Sequence, residues 1–82
     1  MFEPTSWVLV TVLTLNGVGT YHLDNIESKE DCITLARAKW TEFYKNPVVE
    51  KNLVTRCWLG LQKKEKYWIK CDYVGHCTIK RY

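Results

Sequence analysis

The sequence predicts an α+β fold: a ββαβ(ββ) antiparallel sheet with one amphipathic helix packed on a face. Three observations predict it. An Asn16-Gly17 pair separates two β-rich segments, a capped helical stretch opens at Ser28, and apolar and polar residues alternate from Leu53 onward.

Residues 7–15 (WVLVTVLTL) carry no charge and are rich in β-branched side chains, so they read as a strand. Asn-Gly is the strongest short hairpin signal, and Thr20–Leu23 returns as a second strand. A two-residue turn fixes the register. Leu15 faces Val18, Leu13 faces Thr20 and Thr11 faces His22, while Val12 meets Tyr21 and Val10 meets Leu23. Val8, Val10, Val12, Tyr21 and Leu23 then share one apolar face. Trp7, Leu9, Leu13 and Leu15 lie on the other, beside Thr11, Thr20 and His22. A helix covers only one of these faces. The C-terminal segment, a second copy or a partner is expected to cover the other.

Ser28-Lys29-Glu30-Asp31 has the form of a helix start, with a hydroxyl cap and acids in the first turn. The helix is expected to run to about Lys45, where Asn46-Pro47 stops it. Cys32, Ile33, Ala36, Trp40, Phe43 and Tyr44 fall on one side at 100° per residue. Residues 48–52 read as a polar connection and 53–61 as a third strand. Residues 66–73 and 77–82 form a further hairpin around Val74-Gly75.

With 82 residues, 46% of them hydrophobic and 26% charged, the chain is expected to be a single folded domain over 1–82. Its parts are a ββαβ core at 7–61 and a basic, aromatic hairpin at 62–82. The formal charge of +3 is uneven. Residues 1–61 hold six Lys/Arg and seven Asp/Glu, whereas 62–82 hold six Lys/Arg against Glu65 and Asp72. Such a segment suits an acidic protein surface or a nucleic-acid backbone. It also suits a solvated sheet edge guarded by lysines. The apolar run at Trp7–Leu15 lacks a basic start and is too short to span a membrane as a helix, so a cytoplasmic protein that does not engage membranes is expected.

The sequence offers little for catalysis. His22 and His76 have no triad-like spacing to a serine or cysteine, and the four glycines are too scattered for a phosphate loop. No catalytic residue, cofactor or metal ligand is assigned. Cys32 and Cys57 read first as small core hydrophobes, with a disulfide as the alternative. Cys71 and Cys77 flank five residues and are placed to pair across a hairpin. A zinc site using Cys57, Cys71, His76 and Cys77 lacks a CxxC spacing.

Arg56 interrupts an apolar strand and must reach solvent, an acid such as Glu50, or a partner carboxylate. Trp58 shares its face, and an arginine–tryptophan patch is a natural binding hot spot. The candidate partner-binding set is Arg56, Trp58, Lys63, Lys64, Lys66, Trp68, Lys70, Lys80 and Arg81.

Residues 7–57 resemble the small T7-type phage inhibitors of host RNA polymerase. The likeness rests on a first strand with Trp7, Val10 and Val12, a hairpin return, and a helix carrying Leu35-Ala36 and Trp40. A third strand with Val54-Thr55-Arg56 completes it. The resemblance implies a ββαβ module that docks on the polymerase through an arginine at Arg56. The last 20 residues have no counterpart there. The expected function is therefore a small, non-enzymatic, phage-encoded inhibitor or adaptor acting on a host protein such as RNA polymerase. A nucleic-acid-binding accessory role for the basic aromatic segment is the alternative, and a homodimer is compatible with either.

Overall fold

The computed structural model describes residues 6–47, 49–60 and 65–81. The fold is α+β. Five antiparallel strands form one sheet: β1 (Trp7–Leu15), β2 (Val18–Ile26), β3 (Lys51–Leu59), β4 (Lys66–Cys71) and β5 (Cys77–Arg81). One helix, α1 (Lys29–Lys45), lies on one face. The strand order is β2-β1-β3-β4-β5, so β1 and β3 are central and β2 and β5 are the edges.

The first hairpin has the expected register. Leu15 opposes Val18, Thr11 opposes His22 and Val10 opposes Leu23. Asn16 and Gly17 both take positive φ, 50° and 85°, as a turn matching the strands' right-handed twist requires. The second strand is longer than Thr20–Leu23, because the ladder continues in both directions to pair Trp7 with Ile26. The third strand starts earlier than residue 53. Lys51 and Asn52 are drawn in by pairing with Leu15 and Thr14, leaving a shorter connection than 48–52. The fourth strand ends at Cys71 rather than residue 73, where Asp72 begins the turn.

Ser28 caps α1 as expected, its hydroxyl accepting from the Asp31 amide at 3.1 Å. At the other end the Lys51 ammonium donates to the Phe43 and Asn46 carbonyls, which have no partner further along the helix. The helix buries Cys32, Ala36 and Trp40 against Trp7, Leu9, Leu53, Cys57, Tyr67, Ile69 and Cys71. Ile33 and Phe43 pack at its margins, as does Leu35 from outside the predicted stripe. Tyr44 is 40% exposed, and its hydroxyl donates to the Cys71 carbonyl at 2.9 Å.

Two disulfides tie the domain together. Cys32–Cys57 joins helix to sheet in the core, and Cys71–Cys77 spans the β4–β5 hairpin between directly opposed residues. The first corrects the expectation of two unpaired core thiols. The helix stripe and the third strand converge, with the two Cα atoms 6.1 Å apart, inside the range that a bridge needs. With all four sulfurs bonded, the zinc alternative has no thiolates left.

Candidate partner-binding face

Among the described residues, no helix lies over the side of the sheet away from α1. The C-terminal hairpin does not cover it either, contrary to one expectation. It extends the sheet edgewise, because β4 pairs with β3 and β5 pairs with β4 in the same plane. Alternation then decides which side chains project here: the even-numbered residues of β1, β3, β4 and β5, and the odd-numbered residues of β2, whose two-residue turn shifts the phase.

One cross-strand row runs the width of the sheet. Leu23 opposes Val10, Val10 opposes Arg56, Arg56 opposes Trp68, and Trp68 opposes Lys80. At about 4.8 Å per strand this row is roughly 19 Å long. It starts aliphatic and ends cationic. Beside it Trp58 opposes Lys66, and Lys70 opposes Thr78. Tyr21, Val12 and Val54 form the matching apolar row on the β2 side.

Burial is greatest on β1 and falls toward both edges, with Leu23 45% exposed at the β2 end. Val8 is only 1% exposed and Val10 is also buried, although neither belongs to the helix-side core. Trp58 is half-buried, Trp68 is 42% exposed, and Arg56, Lys70 and Lys80 are exposed. The face is furrowed. A hollow of about 370 Å³ is lined by Val10, Val12, Tyr21, Val54, Arg56 and Trp58. A second, of about 400 Å³, is lined by Arg56, Trp68, Lys80 and Arg81. Arg56 belongs to both, so the aliphatic and cationic ends meet at its side chain.

Arg56 does not pair with Glu50 or a helix acid, as one expectation had it. Its guanidinium carbon lies 5.7 Å from the Trp68 ring centroid. Lys80 flanks the same indole from the other strand. In the cross-strand row Trp68 therefore lies between Arg56 and Lys80. Arg81 is the one predicted residue that alternation assigns to the helix side, opposite Tyr67. From the edge strand it still lines the second hollow, and it pairs with Glu65 at 3.8 Å. Lys63 and Lys64 lie outside the described residues.

The electrostatic content of the face is one-sided. Arg56, Lys66, Lys70 and Lys80 project from it, and among the described strand residues no Asp or Glu does. Asp24, the one acid within these strands, falls on the helix side. Sequence reasoning grouped Arg56, Trp58, Lys66, Trp68, Lys70 and Lys80, and the strand registers put these six on one face. It missed that Val12, Val54, Tyr21 and Leu23 continue the same surface. The signal was present as the alternation shared by β1 and β3, but their pairing is long-range.

A larger hollow of about 580 Å³ lies between α1 and the β4–β5 turn, lined in part by Arg37, Trp40, Tyr44, Asp72 and Tyr73. Among the described residues no group of three or more His, Cys, Asp or Glu is placed to hold a metal ion. No helix among them is long and apolar enough to cross a membrane. Comparison with protein-family models, curated proteins and solved structures finds no match for this chain.

Proposed function

We propose that the protein is a non-enzymatic binding domain that docks the open face of its sheet onto an acidic protein surface. The observation that carries this reading is the sign of the face: four cations and an exposed indole, with no carboxylate among the described strand residues. An acidic partner surface meets no like charge among those strand residues. Arg56 supplies a planar donor set for a carboxylate, and Trp68 supplies large apolar area at low entropic cost. The aliphatic half around Val12, Val54 and Leu23 favours protein over nucleic acid, since a bound strand needs cations along its whole path.

The resemblance to phage polymerase inhibitors adds a target class, a host protein engaged through Arg56. The two disulfides add a condition, because cytoplasmic thiol systems keep such pairs reduced. Taken together they favour an inhibitor or adaptor acting on an acidic host protein under oxidising conditions.

The test is capture of partners from bacterial cytoplasmic and periplasmic extracts, with and without nuclease, by the oxidised domain and by Arg56→Ala and Trp68→Ala variants. The expected result is a stoichiometric, nuclease-resistant protein whose affinity drops at least about tenfold in each variant, as loss of a hot-spot residue gives. RNA polymerase subunits in that capture would extend the resemblance to its target. Partners that vanish with nuclease, replaced by steeply salt-dependent binding of single-stranded oligonucleotide, would transfer the face to nucleic acid.

A further inference from the structure

The two sheet edges are built differently. β5 is five residues long and ends in exposed Lys80 and Arg81, a common guard against edge-to-edge pairing. β2 is nine residues long, pairs with β1 without a bulge, and contains no Lys, Arg or Pro. Val18, Tyr21 and Leu23 on it are 68%, 60% and 45% exposed. Of the usual protections this edge carries one, the charge of Asp24 on the helix side, with no Lys, Pro or bulge beside it.

The hairpin turn sets which backbone groups face outward. In a two-residue turn the flanking pair, here Leu15 and Val18, exchanges both hydrogen bonds. Thr20, His22, Asp24 and Ile26 follow in the same phase and bond to β1. Gly19, Tyr21, Leu23 and Asn25 therefore aim their N–H and C=O groups away from the sheet.

We propose that β2 pairs with β2 of a second copy about a two-fold axis at His22, joining two sheets into one of ten strands. The sequence of β2 is complementary to itself in that register. Tyr21 faces the partner's Leu23 and Gly19 faces the partner's Asn25, each as a hydrogen-bonded pair. Val18 faces the partner's Ile26 and Thr20 faces the partner's Asp24. No like charges oppose, and each exposed aromatic or aliphatic residue meets an apolar one. All nine residues pair, giving four hydrogen-bonded pairs of two bonds each. Sliding by two positions either way loses one such pair, and it sets Val18 against the partner's Asp24 or Thr20 against the partner's Ile26. The contact is isologous and closes on itself. Both open faces end on the same side, with the apolar halves central and the cationic ends outermost.

The experiment is sedimentation equilibrium of the oxidised protein across the micromolar range, alongside Leu23→Lys and His22→Cys variants. The expected result is a dimer that L23K weakens at least tenfold. H22C is expected to form an intermolecular disulfide at the axis, and Thr20→Cys is not. Peptide mapping separates that bond from shuffling of the native pairs. If H22C fails to fold, slowed hydrogen exchange at Gly19, Tyr21, Leu23 and Asn25 with rising wild-type concentration gives the same answer. A monomer at all concentrations, or a dimer indifferent to L23K, overturns the inference. A monomer that still captures the acidic partner overturns it while leaving the proposed binding function intact.

Discussion

The indole nitrogen of Trp40 donates to the hydroxyl of Thr55 at 2.9 Å, and that hydroxyl donates in turn to the Ile69 carbonyl at 2.7 Å. The indole also reaches the Ile69 carbonyl, at 3.2 Å. Helix α1 and the paired strands β3 and β4 thus meet at one polar point inside an apolar core. A buried Trp N–H and a buried hydroxyl would each be costly without a partner, and here each satisfies the other. Thr55→Val keeps the shape and removes both bonds of the hydroxyl. The expected cost is about 1–2 kcal/mol, seen as a melting temperature lower by roughly 5–10 °C. Thr55→Ser should recover most of it. Equal melting of the valine and serine variants would show that the hydroxyl contributes nothing.

Thr11 sits directly opposite Thr55 across β1 and β3 and is also buried, yet its hydroxyl has no hydrogen-bond partner among the described residues. The two threonines therefore predict opposite outcomes for the same substitution. Thr11→Val removes an unsatisfied polar atom without opening a cavity and should stabilise the domain by about 1 kcal/mol. Thermal unfolding of T11V and T55V side by side checks the contrast. A T11V protein that melts below wild type would count against it. Nothing in the structure explains why threonine stands at 11.

The sequence made legible what depends on neighbours along the chain. Asn16-Gly17 dictates a turn, the turn dictates a register, and that register appears pair by pair. Ser28 announces the helix, and its hydroxyl makes the expected bond. What could not be read was pairing between distant segments. Nothing in β1 alone says that Val10 will oppose Arg56, nor in β3 that Arg56 will oppose Trp68. The cationic patch could be collected as a list, but its continuity with the aliphatic face needed the strand order. The Cys32–Cys57 bond stood only as the alternative to two core thiols for the same reason, since the helix stripe and the third strand each carried one half of it.

Asp72 organises the β4–β5 turn. Its Oδ1 accepts from the His76 amide at 2.8 Å and the Val74 amide at 3.0 Å. The His76 hydrogen bond is the main reason its carboxyl is held below the ordinary aspartate value, with the Val74 amide and the nearby imidazole helping. The sign follows from linkage. A group whose folded value is depressed stabilises the fold above its unfolded value, near 3.9, and the stabilisation is lost as pH falls through the lower folded value. The turn should therefore hold at neutral pH and loosen only in acid. Backbone NMR should show the Val74 and His76 amides moving together below about pH 4. Asp72→Asn, which keeps an acceptor but not the charge, should abolish that transition. Amides that titrate unchanged in the variant would place its origin elsewhere.

The two disulfides should differ in what they contribute, because they close loops of different length. Cys32 and Cys57 are 25 residues apart, and Cys71 and Cys77 are 6 apart. On the chain-entropy account the first restricts the unfolded state by about 3.5 kcal/mol and the second by about 2 kcal/mol. Location widens the gap. Cys32 and Cys57 are fully buried between helix and sheet, whereas Cys77 is only partly covered at the edge strand. The Cys71→Ala/Cys77→Ala double variant is expected to stay folded with a modest loss, since β4 keeps its pairing with β3. The Cys32→Ala/Cys57→Ala variant also loses sulfur packing in the core and should unfold at markedly lower denaturant. Graded reduction followed by thiol labelling gives an independent check, with Cys71 and Cys77 labelled first and the domain still native at that point. The reverse order, or equal midpoints for the two double variants, would contradict both the loop-length and the burial arguments.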